Sequence, residues 1–196
     1  MSNQFTQTHR LVGISVLGAL VVVLQLLAGL ITLGAFSITL VLVPIVVGAA
    51  LFGPLAGAAL GLAFGVVVIA QSLLGIDPGG AILMGSAPVI TILVILARGL
   101  CAGAAAGFVY RFFAKRNIYA GVFSAAIICP LVNTGLLIAA MFLFFRYYLA
   151  AWAGGTSVLY FAFIGMAGIN FLIELVVNIV LGPSIVRIVN VAKNRN

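Results

Sequence analysis

Two charged side chains stand deep inside long apolar stretches, and these residues are the best placed to do chemistry. Arg98 and Glu174 each lie 13 residues before a basic residue, Arg111 and Arg187 respectively. A charge near the centre of a membrane helix costs at least about 2.5 to 3.5 kcal/mol, so it faces the protein interior or a cavity and marks function. Because an arginine grips a carboxylate with two parallel hydrogen bonds, Arg98 predicts a site for a carboxylate ligand.

Several amide side chains fall at a similar depth to these two charges. Arg98 and Glu174 lie about 20 Å above the inner end of their helices, since a helix rises 1.5 Å per residue. Asn133 and Gln71 fall at a similar level, and Asn170 lies one turn from Glu174 on roughly the same face. This surplus of polar groups predicts a small-molecule pocket that opens outward. The alternative is a structural Arg98–Glu174 ion pair with amide hydrogen bonds between helices.

The sequence carries no arrangement typical of an enzyme or a metal site. It has one histidine, and Cys101 and Cys129 lie within apolar stretches without metal-ligand spacing. A Walker A motif and a Ser/His/Asp set are both missing from the sequence. We therefore expect a protein that is not an enzyme, with no cofactor and no metal of its own.

The elements that must position these residues are membrane helices. The chain has 196 residues, of which 65% are hydrophobic and 6% charged, whereas soluble domains have about 25% charged residues. Each span needs about 20 residues, so six spans take up most of the chain. We therefore predict one all-α transmembrane domain of six helices over residues 1–196. The predicted spans are 11–33, 38–52 (interrupted by Pro44), 54–74, 88–113, 119–147 and 158–189.

The net charge of +7 is explained by membrane topology better than by nucleic-acid binding. Six spans place both termini on one side of the bilayer, and most basic residues then share that side. By the positive-inside rule, this side is cytoplasmic. The residues concerned are Arg10, Arg111, Lys115, Arg116, Arg187, Lys193 and Arg195.

Small residues at four-residue spacing predict close helix contacts. Two glycine series, in the third and fourth spans, favour tight internal packing; they are Gly53, Gly57, Gly61 and Gly65, and Gly99, Gly103 and Gly107. Ser15 and Ala19 in the first span have the same spacing and suit either internal packing or a partner helix.

The segment 75–87 is predicted to be an outward-facing loop that acts as a mobile gate. Its glycines permit wide backbone motion, and Asp77 with Pro78 favours a turn. The predicted gating residues are Asp77, Pro78, Gly79 and Gly80.

Residues 38–61, ITLVLVPIVVGAALFGPLAGAALG, resemble the second and third helices of the substrate-binding S components of energy-coupling factor (ECF) vitamin transporters. In that family a Phe-Gly-Pro turn joins these helices, and here it is Phe52, Gly53 and Pro54. The stretches ARGL, residues 97–100, and CPLVNTG, residues 129–135, resemble the pantothenate-specific branch.

The resemblance implies a six-helix protein of the bacterial cell membrane that captures a vitamin from outside. It implies docking onto an ECF module of a transmembrane coupling protein and two cytoplasmic ATPases, which use the ATP. Ser15 and Ala19 match the family's Ala-xxx-Ala contact with the coupling protein, with Ser in place of the first Ala. Pantothenate would place its carboxylate on Arg98, with the other predicted binding residues, Gln71, Asn133, Asn170 and Glu174, for its amide and hydroxyl groups. The alternatives are another vitamin (biotin, folate, riboflavin or a thiamine precursor) or a structural membrane subunit.

Overall fold

In a computed structural model, the chain is a bundle of helices. The structure describes residues 2–28, 32–33, 36–37, 41–166 and 168–194. The helices are α1 (Ser2–Ala28), α2 (Leu42–Phe52), α3 (Pro54–Leu73), α4 (Pro78–Ser86), α5 (Pro88–Ala114), α6 (Ile118–Phe144), α7 (Arg146–Ala153), α8 (Val158–Tyr160), α9 (Gly168–Val180) and α10 (Gly182–Asn194). A π-helical segment, Phe161–Met166, joins α8 to α9, and a two-residue antiparallel ladder pairs β1 (Thr32–Leu33) with β2 (Phe36–Ser37).

The predicted all-α membrane fold is confirmed. Four helices, α1, α3, α5 and α6, are long and apolar enough to cross a membrane. Two bent pairs bring the number to six if each counts as one span: α7 with the helical stretch after it, bent by 96°, and α9 with α10, bent by 48°. Helix α2 has 11 residues, which is too short to cross a bilayer alone.

The glycines of α3 and α5 face each other, as their spacing predicts. A side chain added at Gly57 or Gly61 would run into the backbone carbonyl of Gly103 or Gly99 respectively. The reverse substitutions on α5 would meet the carbonyls of α3. The two backbones therefore touch, and this packing fixes α5 and its Arg98 against α3.

The turn between α2 and α3 is closed by two arginines. Gly53 has a φ of +93°, a conformation that residues with a side chain rarely adopt. Arg10 donates from Nη2 to the carbonyl of Phe52 at 3.2 Å, and the Arg111 guanidinium occupies the space that a Gly53 side chain would need. Two of the predicted inner-side cations thus lie at the same end of the bundle.

The predicted gate is not a loop but mostly helix α4. The Asp-Pro pair that we took as a turn signal instead starts this helix, with Asp77 at the N-cap position and Pro78 at the first helical position. Proline suits that position because its missing N–H has no partner there in any helix. The glycines at 79 and 80 are helical and buried.

Other predicted boundaries also shift. Helix α1 ends at Ala28 rather than at residue 33, and residues 29–31, 34–35 and 38–40 of the first two predicted spans lie outside the described residues. Pro44 stands in the first turn of α2 and does not interrupt it. The last predicted span is divided between α8, the π-helical segment, α9 and the first part of α10.

Candidate functional site

A small cavity lies between α3, α4, α5 and α6, next to Arg98. Its volume is about 20 Å³, which is room for about one water molecule. Its polar side chains are Asp77, Thr91 and Arg98, and the remaining walls are largely apolar. The lining residues are Val68, Asp77, Gly80, Leu83, Thr91, Val94, Ile95, Arg98, Leu137, Ala140, Met141 and Phe145.

Arg98 is held by apolar surroundings and by two carboxylates. Its Nε is buried and has no hydrogen-bond partner among the described residues, and its guanidinium carbon lies 5.7 Å from the centre of the Phe64 ring. Asp77 and Glu174 both lie close enough to interact with its charge, and Asp77 does so more strongly. The spacing of the sequence predicts Glu174 as the partner of Arg98, whereas in the structure Asp77 is a second carboxylate beside it.

Asp77 is a buried carboxylate at the start of α4, 7% exposed. Its Oδ1 has no hydrogen-bond partner in the described part of the chain, while its Oδ2 lies 3.5 Å from the hydroxyl of Ser72. Burial raises the pKa of the Asp77 carboxyl above its usual range, and the positive charge of Arg98 opposes this rise. A carboxyl with a raised pKa takes up a proton more readily than an exposed one.

Gly80 allows α4 to approach α3 at this point. A side chain there would collide with the Ser72 hydroxyl and with the Asp77 carboxylate. Two of the four predicted gating residues, Asp77 and Gly80, therefore line one cavity with the predicted binding residue Arg98. Leu83 on α4 continues the contact into an apolar cluster with Met141, Phe145 and Leu149 at the same end of the bundle.

Gln71 does not line this cavity, and its role in binding stays a prediction. Its Oε1 accepts a hydrogen bond from Gln25 Nε2 at 2.8 Å, and its Nε2 donates to the Gln25 carbonyl at 2.9 Å. Gln25 is not among the residues predicted above to be functional. Its sequence signal is that it is a single amide in an apolar helix, because burying an amide costs free energy unless the amide is hydrogen-bonded.

Two of the remaining predicted binding residues, Asn133 on α6 and Glu174 on α9, do not line this cavity. Glu174 and Asn133 are buried, and Glu174 lies near enough to Cys129 of α6 to act on it electrostatically. Asn178 donates to the Glu174 carbonyl at 2.7 Å. Asn133 Oδ1 is buried without a hydrogen-bond partner among the described residues. The side chain of Asn170 lies outside the described part of the structure.

The small residues of α1 lie on the outside of the bundle. Ser15 and Ala19 are both exposed, and so are their neighbours Val16, Leu20 and Val23. Of the two interpretations of this pair, internal packing is therefore not supported.

The whole chain, rather than the cavity alone, identifies the family. The family model of the ECF transporter substrate-specific component matches residues 9–186. The chain belongs to this family. A comparison with curated proteins returns no match. As an S component, the chain is a vitamin-binding subunit of an ECF transporter, works with an ECF module and is not an enzyme.

Proposed function

We propose that this S component binds pantothenate and that its carboxylate is held by Arg98. The observation that carries the proposal is the buried Arg98 Nε, which has no partner in the described structure and lines an apolar cavity. A charge-assisted hydrogen bond donated by this Nε to a ligand carboxylate would satisfy it. The apolar walls suit the dimethyl group of pantothenate, and Thr91 offers a hydroxyl at the same cavity.

Binding requires the cavity to open, because about 20 Å³ is far too small for a vitamin. Helix α4 is the element to move, since Asp77, Gly80 and Leu83 supply its side of the cavity. The ligand carboxylate then competes with Asp77 for Arg98. Asp77 is therefore displaced from Arg98 as the ligand enters, and α4 then closes over the bound ligand.

The pocket faces the outside of the bacterial cell membrane, and both termini are cytoplasmic. Delivery uses the transmembrane coupling protein and two cytoplasmic ATPases of the ECF module, because this chain has no Walker A motif. Ser15 and Ala19 form the docking surface for the coupling protein. Their exposure on α1 and their small side chains support this, since small residues let a second helix approach closely.

A second candidate ligand is a neutral or cationic vitamin, such as riboflavin or a thiamine precursor. The observation that favours it is that two carboxylates, Asp77 and Glu174, act on one guanidinium. If both are ionised, this cluster already has a surplus of negative charge, which would repel an anion in a low-dielectric site. Pantothenate binding therefore requires Arg98 to release one of these carboxyls, and Asp77 is the one that lines the cavity.

Mass spectrometry of the small molecules that accompany the purified chain tests the ligand. The chain is purified in detergent, the bound fraction is extracted, and pantothenate, biotin, folate, riboflavin and thiamine precursors are quantified. A binding panel with the same compounds follows on stripped protein. We expect pantothenate in both measurements. A tighter complex with riboflavin or a thiamine precursor would favour the second candidate, and binding of none of them would refute both.

A further inference from the structure

Gln71 connects two distant parts of the molecule. Its side chain is paired with Gln25 of α1 through the two hydrogen bonds described above. Its backbone carbonyl accepts hydrogen bonds from the amides of Ile76 at 2.9 Å and Asp77 at 3.3 Å, which close the turn that leads into α4. One residue thus holds α1 on one side and the turn carrying Asp77 on the other.

The amide pair is built to hold one geometry. Gln25 is 2% exposed and Gln71 is 1% exposed, so neither side chain can exchange its partner for bulk water. A buried amide that loses its partner pays the full cost of desolvation. A shift of the α3 end that carries Gln71 must therefore either move α1 with it or leave buried amide groups unpaired.

Helix α1 is the least buried of the four long apolar helices. Only 17% of the residues in its most apolar window are buried, against 50% for α3. At the opposite end of α1, Arg10 holds the α2–α3 turn through the Phe52 carbonyl. This hydrogen bond joins α1 to the α2–α3 turn and not to α4. Removing it therefore serves as a control for removing the Gln25–Gln71 pair.

Gln71 is also close to the cavity, through its neighbour Ser72 and through Asp77. Asp77 lines the cavity with Arg98, and the residue after Gln71, Ser72, lies 3.5 Å from Asp77 Oδ2 through its hydroxyl. A change in the charge or position of Asp77 acts directly on the last turn of α3. That turn carries Gln71.

We infer that the Gln25–Gln71 pair couples the Asp77–Arg98 cavity to the position of the outer half of α1. Gln25 and Gln71 are positioning residues, because they act on α1 and on the Asp77 turn rather than on a ligand. The significance for transport rests on the proposed function, in which α1 carries the docking residues Ser15 and Ala19. An occupied cavity would then present α1 to the coupling protein differently from an empty one.

The test uses amide hydrogen exchange of the full chain in lipid nanodiscs and needs no ligand. Asp77→Asn perturbs the cavity while keeping its shape. Exchange of residues 21–28 in α1 is compared with and without this change in three backgrounds: the unmodified chain, Gln71→Met and Arg10→Met. Gln71→Met removes both hydrogen bonds of the outer attachment, because both use the Gln71 side chain, and Arg10→Met removes the inner attachment as the matched control. Gln25→Met removes only the hydrogen bond that its own side chain donates, so it should weaken the effect of Asp77→Asn without abolishing it.

We expect Asp77→Asn to change the exchange rates of residues 21–28 by roughly fivefold, the lower end of typical coupling between sites. The change should persist in the Arg10→Met background and vanish in the Gln71→Met background. A merely structural pair would raise exchange in Gln71→Met but leave the Asp77→Asn effect in place. The inference is overturned by that result, by no effect in the unmodified chain, or by loss of the effect in Arg10→Met. Pantothenate binding by the unmodified chain is measured separately, so a failure of the proposed function is seen on its own.

Discussion

Gly61 on α3 and Gly99 on α5 face each other so closely that a side chain on either would meet the carbonyl oxygen of the other. The contact repeats one turn away between Gly57 and Gly103. Side chains are absent along this line, so the two helices meet through their backbones. This contact sets the distance between α3, which leads to Asp77, and α5, which carries Arg98.

Gly61→Ala should destabilise the protein even though alanine is the better helix former. The added carbon must displace the backbone of α5, and overpacking a well-packed core costs about 1 to 3 kcal/mol. Gly135→Ala on α6 is the matched control, because nothing lies within 4 Å of the carbon that it adds. Thermal unfolding in detergent should show a lower midpoint for Gly61→Ala only. Equal midpoints for the two variants would mean that α3 and α5 can move apart to fit the added carbon without lowering the stability of the protein.

The depth of polar residues could be predicted from the sequence, but the direction in which they point could not. Counting residues along a helix places Gln71 near the level of Arg98, yet the structure turns Gln71 towards Gln25 and away from the cavity. Which residues of a helix point towards the cavity depends on the rotation of the helix about its axis within the bundle. In a helix that is apolar almost all round, hydrophobic periodicity does not fix that rotation.

The α3–α5 contact was predictable because glycine spacing carries its own directional information. Glycines four residues apart share one face, and only a backbone can fill the space beside them. The start of α4 was misread for the opposite reason. Asp77 followed by Pro78 is compatible with a turn and with a helix start, and the four glycines of this segment made the turn interpretation attractive.

The stability of the chain should depend on pH through Asp77. Burial raises the folded pKa of this carboxyl above its unfolded value, so the folded state binds the proton more tightly. Stability is then greatest below the unfolded pKa and falls as pH rises through the folded pKa. Asp77→Asn removes this titration and should flatten the midpoint-versus-pH curve over that window. Parallel curves for the two proteins would show that Asp77 does not titrate in the folded chain.

Helix α4 should move when ligand enters. Hydrogen exchange of residues 75–87 should be fast in ligand-free protein and slow with saturating pantothenate, because the cavity must open and then close over the ligand. Amides of α3 around Gly61, where the backbone packs against α5, serve as the internal reference and should not change. Identical exchange of residues 75–87 in both states would make α4 a fixed wall rather than a gate.

A bulky residue on the exposed face of α1 should separate binding from transport. Ala19→Trp should keep pantothenate affinity, because α1 does not line the cavity, and should lose uptake in cells, because the coupling protein can no longer approach. Ile127→Trp on α6, also an exposed mid-helix position, is the control and should keep both. Radiolabelled uptake and binding are measured on the same variants. Normal uptake by Ala19→Trp would exclude α1 at Ala19 as the docking surface.

The central claim is tested most directly by pairing a change in Arg98 with a change in the ligand carboxylate. Binding of pantothenate and of pantothenol, its alcohol analogue, is measured for the unmodified chain, Arg98→Lys and Arg98→Met. We predict that the unmodified chain prefers pantothenate by about 2 to 5 kcal/mol, the usual effect of a buried charged pair. The preference should shrink in Arg98→Lys, which keeps the positive charge but lacks the two parallel N–H donors of a guanidinium. It should disappear in Arg98→Met. An undiminished preference for pantothenate in Arg98→Met, with the fold intact, would contradict the account.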